Sequence, residues 1–301
     1  MQDDKLKGKL KMAIRPPAVA GQFYGASAAE CLEEIRQCLP SEPLSVQLPS
    51  PVVGAIVPHA GWIFSGHVAA LAFEAIRQTN PAVDTFVIFG AAHRYFGSVP
   101  AVYDRGAWQT PLGLIPVDEI LAADILDLGG CSDRDAHRDE HSIEVQVPFI
   151  QYLFPKAKIV PIIVPVTGFD VRFGTRIGDL LVQLKDKRVV CMASTDLTHY
   201  GPRYGFCPEG VGPAALQWAS EVNDMRFIDL AVRMEADKIV SEAMQKGNAC
   251  GPAAAAALIA AVSAMGRTRG VLLAHTTSNE VLWERFHQSS DEAVGYAAIV
   301  Y

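Results

Sequence analysis

Three short, β-rich apolar runs in this chain each stop in a polar loop that carries a histidine. Val52–Val57 opens into Pro58-His59-Ala60-Gly61-Trp62, and Thr85–Phe89 into Gly90-Ala91-Ala92-His93-Arg94. Val189–Ala193 opens into Ser194-Thr195-Asp196-Leu197-Thr198-His199-Tyr200. Runs that are apolar on both faces fit strands covered by helices on either side. In open α/β sheets, ligands gather beyond the carboxyl ends of such strands. Parallel strands need long crossovers, and Ser65–Gln78, with Val68, Leu71, Ala72 and Ile76 on one stripe, supplies one. The pattern predicts His59 and His93 at the ends of two neighbouring buried strands, with His199 converging on the same crevice.

Further strand candidates lie at Val99–Tyr103, Ile159–Val164, Val271–Ala274 and Tyr296–Val300. Helical patterns run over His141–Leu153, Val171–Lys185, Glu221–Glu235 and Gly251–Met265. This alternation predicts an α/β fold, a three-layer α/β/α sandwich on a central, mostly parallel or mixed sheet. No internal repeat, low-complexity linker or charge block divides the chain. Residues 15–301 are therefore expected to form a single α/β domain behind a flexible segment, 1–14. The lysines at 5, 7, 9 and 11 read as a solvated terminus.

Composition excludes several classes. A net charge of −7 argues against nucleic acid as a partner, since that needs a basic face. The longest apolar stretch, Ala253–Met265, is too short to span a bilayer. Without an apolar signal core near the start, a cytoplasmic location is expected. The six cysteines, which form no C-x-x-C pair, read as reduced thiols.

Taken singly, each strand-end histidine reads as a hydrogen-bonded loop residue. Three at one structural position point instead to metal, because neutral imidazole is the commonest metal ligand and suits Fe, Cu, Zn and Ni. A third ligand is needed, and Cys250 is the candidate. It stands where a loop becomes a helix, a place that favours thiolate. On chain position alone, a small buried residue at a tight turn is the stronger reading of Cys250. Asp196 and His199 are three apart, so the carboxylate either tunes the imidazole as a general base or caps a turn. His137-Arg138-Asp139-Glu140-His141 spells H-x-x-E-H, the zinc hydrolase signature, which requires the whole pentapeptide to be helical. The apolar helical period begins only at Ile143, so that reading is kept as an alternative. Trp62 and Trp108, beside the strand-end loops, are expected to line the crevice.

Several strings together resemble the MEMO family, whose bacterial and archaeal members are also called AmmeMemoRadiSam system protein B. They are Pro17-Ala18-Val19-Ala20-Gly21-Gln22-Phe23-Tyr24, the loop His59–Gly66, and Trp108-Gln109-Thr110-Pro111-Leu112-Gly113. Glu140-His141-Ser142-Ile143-Glu144-Val145-Gln146, Ser194–Tyr200 and Val294-Gly295-Tyr296-Ala297-Ala298 complete the set. They run in order from about Arg15 to Tyr301. The resemblance implies a fold similar to class III extradiol ring-cleaving dioxygenases, which hold non-haem Fe(II) with two histidines and a glutamate. Carried over by motif, it implies metal ligands at His59, His93 and Cys250, and His199 as the acid/base with Asp196 nearby. Trp62, Tyr200, His141, Glu140 and Trp108 are expected around the pocket. Alanine precedes His93 where the family more often has serine, and Gly25-Ala26-Ser27 follows Tyr24 where proline is commoner.

The implied cofactor is one metal ion, Fe(II) first, with Cu or Zn as alternatives because thiolate is softer than carboxylate. The implied partners are a small-molecule substrate or peptide at the crevice and a radical-SAM system protein, with neither nucleic acid nor membrane. Two readings follow, a redox enzyme of dioxygenase type and a non-enzymatic metal-binding or redox-regulatory protein.

Overall fold

A computed structural model describes residues 13–301; the lysine-rich segment before Ala13, and with it most of the expected flexible segment, lies outside the described residues. In chain order, β1 (Ile14–Arg15) and α1 (Ala28–Cys38) precede β2 (Gly54–Val57), α2 (Trp62–Thr79) and β3 (Thr85–Gly90). Next come β4 (Ala101–Val102), β5 (Ala107–Thr110), β6 (Gly113–Pro116), α3 (Glu119–Asp127), β7 (Cys131–Ser132) and α4 (Val147–Leu153). They are followed by β8 (Lys158–Ile163), α5 (Arg172–Gln183), β9 (Val189–Ser194), β10 (His199–Tyr200), α6 (Pro213–Trp218) and α7 (Met225–Val232). The chain closes with α8 (Ala236–Lys246), α9 (Pro252–Ala264), β11 (Val271–Thr277), α10 (Ser278–Phe286) and β12 (Ala293–Val300).

The large sheet runs β10-β12-β2-β9-β3-β8-β4-β7, with β11 also paired to β12. Its centre, β2-β9-β3-β8, is parallel, while β12 and β4 flank it antiparallel. The sheet is thus mixed, and every residue of β2, β3 and β9 is buried, as expected for strands sealed on both faces. Helices pack on it as two groups, α1, α2, α4 and α10 together and α5, α8 and α9 together. Right-handed crossovers explain this, since the chain advances across the sheet from β2 to β3 and retreats from β8 to β9. Helix α9 is buried along nearly its whole length and lies tight on α5, where a Cβ on Gly174 would fall 2.2 Å from the Ala257 carbonyl oxygen. The described helices include none long and apolar enough to cross a membrane.

The structure changes three sequence expectations. Strands β2 and β3 are not neighbours, because β9 inserts between them and pairs with both. The expected helix over His141–Leu153 begins only with a 3-10 turn at Glu144–Gln146, because residues 140–143 bend to deliver polar groups inward. A separate small sheet, β1-β5-β6, was not foreseen, and its pairing of Ile14 with Ala107 anchors the described chain from that point.

Candidate metal centre

Because β2, β9 and β3 are parallel and contiguous, their carboxyl ends open side by side, with the loop from β9 in the middle. His59 follows β2 and His93 follows β3, and their ring centroids stand 5.1 Å apart. The third imidazole is not that of His199 but that of His141, stacked 4.7 Å from His93 and 5.3 Å from His59. Among the described residues, His59, His93 and His141 bring one ligand atom each to within 4.8 Å of one another, so they can hold a metal ion. His141, expected around the pocket, is one of the three residues that could hold the ion.

The hydrogen bonds decide which nitrogen each ring presents. Ser194 Oγ donates its one proton to the Ser142 carbonyl at 2.6 Å, so it must accept from His59 Nδ1 at 3.1 Å. His59 Nε2 therefore keeps its lone pair, and it faces Cys250 Sγ at 3.1 Å. Glu140 Oε1 stands 2.9 Å from His93 Nδ1 while Oε2 accepts the His93 backbone N–H at 3.0 Å. That again puts a proton on Nδ1 and turns Nε2 toward the Cys250 thiol. Fixing a histidine by its far nitrogen is how proteins prepare it for a metal. Glu140 also accepts the backbone N–H groups of His141 and Ser142, so one buried carboxylate shapes both histidine loops.

Cys250 adjoins this group at His59 and His93. Its backbone N–H donates to the Asp196 carbonyl at 3.2 Å, and its Sγ accepts the Asp196 N–H at 3.3 Å. Burial pushes the Cys250 thiol up, opposed by its contact with His93. Burial works against a cation on His93, but Cys250 and Glu140 outweigh it and push the imidazole up to about 10. Burial, reinforced by the neighbouring His93 and His141, holds His59 well below the usual histidine range, and burial likewise lowers His141 to about 4. Three neutral-capable imidazoles and one thiol suit Fe, Cu or Zn and are a poor set for Mg or Ca, which want oxygen.

Other expected residues are placed differently. Asp196 makes no hydrogen bond to the His199 ring; its Oδ1 accepts the His59 N–H at 2.7 Å, because its side chain turns toward the loop after β2. The partner of His199 Nδ1 is the Leu197 carbonyl at 3.0 Å, which leaves Nε2 of that half-buried ring free. Trp62 points into the core, donating to the Val145 carbonyl at 3.1 Å and packing on Tyr24 and Phe149. Tyr200 alternates to the opposite side of β10 from His199 and packs on Phe206 and Trp218, its hydroxyl donating to Gly210. Trp108 lies under the Arg15 guanidinium, 4.1 Å from ring to carbon, and beside His137. None of these three aromatics lines the histidine group; that place belongs to Phe23, 4.9 Å from His141.

The H-x-x-E-H string is not helical. Asp135–His137 is a 3-10 turn, and fully buried His137 has Nε2 3.0 Å from the Ala101 carbonyl, away from the other histidines. The zinc hydrolase geometry is therefore absent, and only His141 of that pair reaches the metal group. Sequence reading also missed Ser194, Gln146 and the buried pair Arg15–Glu144, although all lie within or beside quoted strings. Gln146 donates to the Pro58 carbonyl and to Ser194, steadying the loop that carries His59. Their signal was a cluster of polar residues inside apolar neighbours, and no spacing rule assigns such residues a partner.

Comparison with known proteins places the chain in a family. Residues 15–300 match the family model described as Memo-like protein. A MEMO1 family protein of Thermococcus onnurineus is 38% identical over 299 residues, covering 96% of this chain and 99% of that one. Those of Pyrococcus abyssi and Methanopyrus kandleri are 38% and 34% identical, each covering 95% of this chain. An uncharacterized Escherichia coli K12 protein of known structure superposes with a TM-score of 0.47 at 13% identity over 81% of this chain, too slight a likeness to carry an argument. The chain belongs to the Memo-like protein family.

Proposed function

We propose that this chain binds one redox-active metal ion, Fe(II), through His59, His93 and Cys250 with His141 beside them, and that it is a metal-dependent oxidoreductase of dioxygenase type. The observation that carries the reading is the convergence of three imidazoles, two of them held by Nδ1, with the Cys250 thiol 3.1 Å from His59 Nε2 and in contact with His93. When bound, such a metal supplies Lewis acidity and one-electron exchange with O₂. His199, held by the Leu197 carbonyl with Nε2 unprotonated, takes a proton from the hydroxyl of a catechol-like or other enolisable substrate. Asp196 keeps the His59 loop in place by accepting the His59 backbone N–H. Phe23 forms an apolar wall beside His141.

One observation favours a second reading. Three nitrogens and a sulfur complete a four-donor set, and closed four-donor sites are commonly structural or sensory rather than catalytic. On that reading Cys250 is a metal-linked, oxidisable thiol that reports redox state to a partner, with Cu or Zn as the ion. Protein purified without chelator, assayed for metal and then for oxygen uptake with a panel of catechols, separates the two. One metal per chain, lost in His59→Ala and His93→Ala, supports the site. Uptake by the iron-loaded protein that disappears in His199→Ala supports the enzyme; bound metal with no uptake supports the sensor.

A further inference from the structure

The turn that carries Cys250 has no direct covalent or sheet connection to the strand ends that carry the histidines. Something must fix where the thiol stands. The continuous helical run from α6 to α7 contains a π-helical segment, Ala219–Asp224, and π-segments weaken a helix and cluster at functional sites. Its last two residues, Asn223 and Asp224, are both buried, at 0% and 1% exposure. Asn223 Nδ2 donates to Thr198 Oγ1 at 3.1 Å and to the Lys246 carbonyl at 3.0 Å. Its own carbonyl accepts Asn248 Nδ2 at 3.0 Å. One residue therefore grips the loop after β9 and both sides of Gly247, which takes a left-handed conformation at φ 62°. Asp224 adds a second strut, accepting the Thr198 N–H at 2.9 Å and pairing with His275 Nε2 at 2.9 Å. Space is kept for it by Gly295, where a Cβ would fall 2.0 Å from Asp224 Oδ2.

Stability alone does not account for this arrangement. Asn223 Oδ1 and Asn248 Oδ1 are buried with no hydrogen-bond partner among the described residues, a cost that an apolar residue would avoid. We propose that Asn223 is the positioning residue of Cys250, registering the Lys246–Cys250 turn against the Thr195–Thr198 loop so that the thiol meets His59 and His93. The seam it sets is visible in the bonds that follow, Cys250 N–H to the Asp196 carbonyl and Gly251 N–H to Thr195 Oγ1 at 2.9 Å. The proposal rests on the reading of Cys250 as a metal ligand.

The test uses the full chain loaded with cobalt(II), whose thiolate-to-metal charge-transfer absorption reports sulfur ligation without any substrate. Wild type is compared with Cys250→Ser, Asn223→Ala, Thr198→Val and Thr198→Ser, each also measured for thermal midpoint in the metal-free form. Cys250→Ser should abolish the band. Asn223→Ala should still bind cobalt through the histidines, but with a diminished band per bound ion and affinity weaker by about 10- to 100-fold, the scale of lost outer-sphere partners. Thr198→Val, which keeps the shape and removes the acceptor, should move in the same direction even if Asn223→Ala does not fold. Thr198→Ser, which keeps the acceptor, should restore wild-type behaviour. A full band per cobalt in both Asn223→Ala and Thr198→Val overturns the positioning role while Cys250 remains a ligand. A wild-type band that is absent, or unchanged in Cys250→Ser, overturns the ligand reading and the positioning role with it.

Discussion

Two clusters of buried histidine and aromatic groups lie four residues apart in sequence, and they have opposite characters. Around His137, Arg15 donates to the carbonyls of His137 and Glu140 and to Glu144, and stacks on Trp108. His137 gives Nε2–H to the Ala101 carbonyl, and its Nδ1 has no partner among the described residues. Around His141, the neighbouring rings are held by Ser194 and Glu140 so that their Nε2 atoms face the same thiol. A lone pair alone in a cage of rings builds a core, whereas several lone pairs aimed at one point build a site. Fold and site are joined at Glu140, whose carbonyl accepts from Arg15 while its carboxylate holds His93 and the His141 N–H.

That contrast can be broken by mutation. The largest effect on metal should come from His59→Ala and His93→Ala, with affinity falling more than the roughly 100-fold upper end seen for supporting residues. Equilibrium dialysis measures this, and retention of metal by both variants while His137→Ala lost it would reverse the assignment. Next, removing one partner of the buried Arg15–Glu144 pair, side chains 2% and 1% exposed, should cost about 3–5 kcal/mol of stability. Arg15→Met should therefore lower the urea midpoint strongly while the ratio of metal to folded chain stays at one. A loss of metal without loss of stability would mean that the two clusters are not separable in this way. Glu140→Gln should weaken metal binding by about 10- to 100-fold, because His93 loses the carboxylate that orients it.

The smallest effect is on pH dependence. Burial holds His137 down to about 3, below its ordinary value of 6.5, so the folded chain keeps it neutral while the unfolded chain takes up a proton below 6.5. Its contribution is fully present above pH 6.5 and is lost as pH falls from 6.5 toward 3. Metal-free protein should lose stability through that window, and His137→Leu should lose less of its own stability over the same range in urea melts. An equal slope in both proteins would place the acid sensitivity elsewhere.

Much of the fold was legible because buried parallel strands are written as apolar runs. Val189–Ala193 and Thr85–Phe89 were read nearly to the residue of β9 and β3. Their order was not legible, since nothing local in Val52–Val57 records that β9 will come between it and β3. His59 and His93 stood out by position at strand ends, whereas the place of Cys250 before a helix left the small-buried-residue reading ahead until family likeness favoured a ligand, because the bonds that place it come from residues 196, 223 and 248. His141 was expected around the pocket, and its place beside His59 and His93 comes from the turn that follows Glu140, which no spacing rule records. Asp196 and His199 illustrate the same limit, since a spacing of three suggested a pair and the chain instead used a backbone carbonyl.

The central claim is that thiol and imidazoles share one ion, and X-ray absorption at the metal edge of protein purified without chelator tests it most directly. The contact of Cys250 with His59 and His93 predicts a single sulfur scatterer at about 2.3 Å alongside imidazole nitrogens, the sulfur disappearing in Cys250→Ser. A spectrum with only oxygen and nitrogen neighbours, identical in wild type and Cys250→Ser, would contradict it.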